Sequence, residues 1–248
     1  MGVDSRVLIP CYPALRAAFP DACTVAELPS LAPALPPARL LAARSDGLPL
    51  LLLDCPALFE RPGNPYLDAS GADHPDNALR FGLLSRVAAR LGQRGSPLGW
   101  QPDVVHVNDW QSGLAPAYLH YEGGAPSVIT VHNIAFQGCF GHDMLAALGL
   151  PEQAWRFDGV EYYKQLSFLK AGLQFATRLS TVSPTYAHEI QTEHFGYGLA
   201  PLLRYRAAAL RGILNGIDTT SWNPATDAAL HQLYSIETLA GKALNKSA

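Results

Sequence analysis

The sequence predicts an α/β fold in which a parallel sheet is wrapped by helices, and three observations predict it. Short apolar runs alternate with stretches of helical period. Four of the runs end abruptly in polar residues, the place where open α/β sheets bind their ligands. At 248 residues and 48% hydrophobic, the chain is long enough to bury a sizeable core.

Taken in order, strands are expected at 6–10, 48–54, 104–107, 127–131, 179–182 and 212–214. Between the first two, Pro29, Pro33, Pro36 and Pro37 rule out a helix or a central strand, so 28–37 reads as a loop. A second loop spans 60–75, dense in Pro, Gly, Asn and Asp, with a turn at 61–66 that exposes Tyr66 at its tip. A helix follows at 77–91, where Phe81, Leu84, Ala88 and Leu91 recur at three- and four-residue steps. The same spacing of Tyr162, Leu166, Leu169, Leu173 and Ala176 predicts another helix over 162–176.

Charge and cysteine usage narrow the function classes. A net charge of −3 offers no basic field for a nucleic acid backbone. Cys11, Cys23, Cys55 and Cys139 are scattered without a C-x-x-C pair, against a zinc site or a disulfide framework and in favour of a reduced cytoplasm. No apolar run approaches the roughly 20 residues that cross a bilayer, and Pro10, Cys11 and Pro13 interrupt any signal-like start. The glycine fingerprints of phosphate-cradling loops and the Gly-x-Ser-x-Gly elbow do not occur.

The chemistry therefore sits at strand ends. The 104–107 run leads into Asn108-Asp109-Trp110, so Asn108 or Asp109 can cap a helix, and on spacing alone Asp109 is equally a plain cap and a functional carboxylate. Strand 127–131 runs into His132-Asn133, a polar pair after a β-branched run. Ser183-Pro184 reads as a cap followed by proline at the first helical position. Asn215-Gly216 reads as a turn, and His106, inside an apolar strand, as a core histidine satisfied by a hydrogen bond. His106, Asp109, His132 and Asp218 are potential metal ligands without a recognised metal spacing, so no metal is expected.

At these residues the sequence resembles the bacterial glycogen synthase and plant starch synthase family. Asn108-Asp109-Trp110-Gln111-Ser112-Gly113-Leu114 is similar to the family's His-Asp-Trp-x-x-Gly-Leu, with Asn108 in place of the usual His. Thr130-Val131-His132-Asn133-Ile134-Ala135-Phe136-Gln137-Gly138 resembles its Thr-x-His-Asn-x-x-(Tyr/Phe)-Gln-Gly signature. The segments 61–66, 167–172, 181–187 and 214–218 extend the match in family order.

The resemblance implies the N-terminal half of a retaining glycosyltransferase built of two Rossmann-like domains, a parallel sheet with helices on both faces. The reaction it implies is transfer of glucose from ADP-glucose to the non-reducing end of an α-1,4-glucan, without a cofactor. It places Asp109 and His132 as catalytic residues and Tyr66, Asn133, Gln137 and Asn215 as substrate-binding ones. Such groups suit sugar hydroxyls, which both donate and accept hydrogen bonds. It further implies that residues 1–224 form a truncated acceptor-side domain without the family's first strand and its Lys-x-Gly-Gly-Leu loop. Residues 225–248 would begin the connection to a nucleotide-binding domain. The four lysines, Lys164, Lys170, Lys242 and Lys246, all lie beyond residue 163. On these grounds the chain alone is expected to be inactive, or to act only as a glucan-binding module, with sheet edges left unpaired.

Overall fold

The computed structural model describes residues 2–247. It divides into a unit that runs through Ile213 and a smaller one from Leu214 onward. The first unit has a Rossmann-like α/β fold, but its long strands lie in two four-stranded sheets instead of one.

The first sheet begins with β1 (Val7–Pro10), which leads into the short helix α1 (Pro13–Ala18). Strands β2 (Cys23–Leu28), β3 (Ala38–Ser45) and β4 (Leu48–Asp54) complete it in the order β1-β4-β3-β2. Only β1 and β4 pair in parallel, while β3 is antiparallel to both neighbours. This sheet is mixed, because Asp46 and Gly47, with φ of 49° and 82°, form the tight turn that folds β3 back on β4. The 28–37 loop takes the expected irregular course, with Ser30 Oγ donating to Ala32 O and Leu35 O.

Helix α2 (Pro56–Phe59) and the 60–75 loop precede α3 (Asn77–Gly92). The expected stripe on α3 is only part of what it buries. Ala78, Arg80, Phe81, Leu83, Val87, Ala89 and Leu91 are all buried, because other elements cover the helix on several sides, and Leu84 and Ala88 remain half-buried.

The second sheet is parallel throughout. It contains β5 (Val105–Asn108), followed by α4 (Ala115–Glu122), and β6 (Ser127–Val131). The expected helix over 162–176 is shorter. Next come β7 (Cys139–Phe140), α5 (Asp143–Ala147), β8 (Glu161–Tyr162) and β9 (Gln165–Ser167), and only then α6 (Phe168–Phe175). Tyr162 and Leu166 therefore sit in a hairpin, because Tyr163 and Lys164 adopt φ of 47° and 64° and close a two-residue turn. Ser167, not an upstream residue, caps α6 by accepting from Lys170 N.

Strand β10 (Arg178–Thr181) pairs with β6, and α7 (Pro184–Glu189) follows with the expected Ser183 cap accepting from Tyr186 N. Helix α8 (Ala200–Tyr205) and β11 (Leu210–Gly212) close the order β11-β10-β6-β5. In the second unit, α9 (Ala240–Ser247) follows a segment in which Asn215 and Gly216 are not in a turn. The turn there lies at 219–221, where Asp218 Oδ1 accepts from Thr220 N and Ser221 N. Among the described residues, no helix is long and apolar enough to cross a membrane.

Candidate active site

Among the described residues, strand β1 pairs only with β4, and β5 only with β6, so each keeps one unpaired edge. A groove of about 960 Å³ lies between them, with Phe81, Leu84, Ala88 and Leu91 of α3 among its lining residues. The guanidinium of Arg6 stacks 3.9 Å over the Trp100 ring at one end of the groove. At the other end stand Tyr66, Asn108, Asp109 and His132.

This end is built from strand register. Parallel pairing sets Asn108 opposite Thr130, and Asp109 N donates to Thr130 O at 2.9 Å. Asp109 then takes φ 49° and ψ −161°, a region almost reserved for glycine. It makes none of the expected cap bonds to the 3-10 turn that follows it. Its Oδ1 instead accepts from His132 N at 2.7 Å and lies 3.4 Å from Asn133 N. The carboxylate thus ties the end of β5 to the end of β6 and fixes where His132 stands. The His132 ring is exposed, with Nε2 3.0 Å from Asn108 Oδ1.

Tyr66 reaches the site through packing. Its ring lies 6.0 Å from Phe81, which stacks edge-on at 4.8 Å against Trp110. Buried Arg80 holds the Tyr66 loop by donating to Leu58 O at 2.9 Å, Pro65 O at 2.9 Å and Asn77 Oδ1 at 2.7 Å. Burial pushes the Arg80 guanidinium below its ordinary value. Arg61 adds two 2.7 Å bonds to Asp76. Sequence reasoning missed Arg80, since only the fold brings three acceptors to it.

The other expected site residues are placed differently. Asn133 and Gln137 lie on the loop after β6, outside the groove. Asn133 Oδ1 accepts from Ala135 N, and the Gln137 amide donates to Tyr197 O at 2.8 Å, which also accepts from Tyr162 Oη. Asn215 is exposed in the second unit.

His106 is corrected from core to surface. It is exposed on β5 but does have the expected bond, with Nε2 2.7 Å from Thr130 Oγ1, which is 2.6 Å from Ser180 Oγ. Although the residue is exposed on β5, partial desolvation of its ring first, and then repulsion from the neighbouring His132 imidazole, hold it below the usual histidine range. Among the described residues, no group of three or more His, Cys, Asp or Glu side chains is placed to hold a metal ion.

The signature glycines serve packing. A Cβ at Gly113 would meet Phe168 O at 2.3 Å, and one at Gly138, where φ is 57°, would meet the Trp110 ring at 2.2 Å. The arrangement offers a carboxylate-anchored imidazole, an amide and a tyrosine at the mouth of a groove, a set suited to a polyhydroxylated ligand.

The family model described as "Starch synthase catalytic domain" matches residues 1–205. A glycogen synthase of Dechloromonas aromatica is 74% identical over 247 residues, covering 100% of this chain and 51% of the relative. One of Nitrosomonas europaea is 53% identical over 252 residues, covering 99% and 51%. The solved catalytic domain of Starch Synthase IV from Arabidopsis thaliana, bound to ADP and acarbose, matches with a TM-score of 0.74 at 27% identity. That match covers 98% of this chain and 50% of the other. The chain spans about half the length of the curated relatives it matches.

Proposed function

Because this chain belongs to the starch synthase catalytic-domain family, we propose that it is the acceptor-side part of a glycogen or starch synthase acting in the cytoplasm. The whole enzyme transfers glucose from ADP-glucose to the non-reducing end of an α-1,4-glucan, with retention of configuration. The observation that carries this reading is the Asp109 carboxylate joining the ends of β5 and β6 and setting His132 at the mouth of the groove. The ADP and acarbose bound to the Arabidopsis neighbour support a nucleotide donor and a glucan acceptor.

In this reading His132 hydrogen-bonds the reacting glucose and stabilises an oxocarbenium-like state by position and electrostatics. Asp109 fixes its backbone, and Tyr66 covers an apolar sugar face. Asn133, Gln137 and Asn215 contribute further sugar contacts. Residues 1–224 are the acceptor-side domain, and 225–248 begin the connection to a nucleotide-binding one. In this reading the 248 residues bind glucan and do not turn over alone. The test is a titration of the chain with maltoheptaose followed by amide NMR. Shifts centred on 108–113 and 132–138 are expected, and their absence at saturating sugar would remove the reading.

A further inference from the structure

We propose that Asn108 sets the tautomer of His132: its amide oxygen takes the Nε2 proton and leaves Nδ1 a bare lone pair. His132 then meets the sugar as a hydrogen-bond acceptor. This consequence rests on the reading of His132 as a sugar-facing residue, but the tautomer itself does not.

The geometry is a 3.0 Å contact between His132 Nε2 and Asn108 Oδ1. An amide oxygen only accepts, so Nε2 must donate, and a neutral imidazole then has no proton at Nδ1. Nδ1 has no partner among the described residues. Both ends of the contact are anchored. Asn108 N donates to Ser112 Oγ at 2.9 Å, and the same hydroxyl donates back to Asn108 O at 2.9 Å. His132 N is held by Asp109 at 2.7 Å. The nearby His106 is occupied with Thr130 and does not compete for Asn108. An acceptor at Nδ1 selects a substrate hydroxyl that donates, and it excludes His132 as a proton source while neutral. Asn108 is in this sense a positioning residue.

The test is nitrogen–proton correlation NMR of the imidazoles in the full chain, with the His132 ring assigned by its disappearance in His132→Asn. The Nε2–H form should exceed the Nδ1–H form by about tenfold, the bias of one good hydrogen bond. Asn108→Asp keeps an acceptor and should keep that form. Asn108→Lys presents only donors and should invert it. A protonated Nδ1 in the wild type, as a donating Asn108 amide would require, overturns the proposal. So does an unchanged tautomer in a folded Asn108→Lys. Should that variant fail to fold, the wild-type scalar coupling across the contact decides: a coupling from the Nε2 proton to the Asn108 side-chain carbonyl is expected, and a proton found only at Nδ1 overturns the assignment. Absent maltoheptaose binding with the tautomer as expected would strike the proposed function and leave this assignment standing.

Discussion

Replacing Asp109 by alanine and by glycine should have opposite backbone consequences, and the comparison isolates what the carboxylate does. Both changes remove the acceptor for His132 N, a 2.7 Å charge-assisted bond, and for Asn133 N at 3.4 Å. Bonds of this kind contribute ~1.5–3 kcal/mol when buried, and the exposure of His132 and Asn133 reduces the loss to about 1–2 kcal/mol. Alanine keeps the costly φ of 49° and ψ of −161°. Glycine relieves that strain, worth ~1–3 kcal/mol, against the ~0.5–1 kcal/mol of extra chain entropy it brings to the unfolded state. Asp109→Ala should therefore lower stability by about 1–2 kcal/mol, a fall in Tm of about 3–6 °C for a chain of this size. Asp109→Gly should stay within about 1 kcal/mol of wild type. Urea unfolding followed by tryptophan fluorescence measures both. Equal losses in the two variants would refute the strain, and an unaffected alanine variant would refute the clamp.

Arg80→Met should cost about 3 kcal/mol, because Leu58 O and Pro65 O lose a buried donor, and it should speed proteolysis within 60–75. A loss under about 1 kcal/mol, with the loop still protected, would contradict its role. Gly113→Ala should cost about 2–3 kcal/mol, since its Cβ meets backbone at Phe168, whereas Gly216→Ala enters open space and should be neutral in the same denaturant assay. Burial pushes the Tyr12 phenol up to about 12 and raises that of Tyr118 as well. The unfolded chain releases these protons near pH 10, so their contribution is full below that pH and falls as pH rises toward 12. Absorbance titration should show Tyr12 and Tyr118 among the last of the ten tyrosines to ionise, and the alkaline loss should shrink in Tyr12→Phe.

What the sequence made legible follows from physics that is local. The β-branched run before His132 and the apolar run before Asn108 mark β6 and β5, because the signal for a buried parallel strand lies within the strand itself. The hairpin at Tyr163-Lys164 was not legible, since neither residue is a usual left-handed turn former and the spacing of Leu166, Leu169 and Leu173 imitates a helix. The Asp46-Gly47 turn did carry a signal, a hairpin dipeptide between apolar runs, but β3 was not among the expected strands, so the antiparallel pair it closes went unread. At the site, residue type and strand position pointed to Asp109 and His132. That Asp109 bonds His132 N instead of capping its own turn depends on β5–β6 register, which no local pattern contains. The burial of Arg80 and the separation of the two sheets likewise depend on segments far apart in sequence.

The central claim, that these residues form the acceptor side of a glucosyltransferase site, is tested most directly by grafting. This chain would replace the segment it matches in the 74% identical glycogen synthase, and glucose incorporation from ADP-glucose into glycogen would be measured. The graft should turn over, its His132→Ala form should lose at least ~100-fold, and the 248-residue chain alone should show none. A folded His132→Ala graft as active as its parent would contradict the claim.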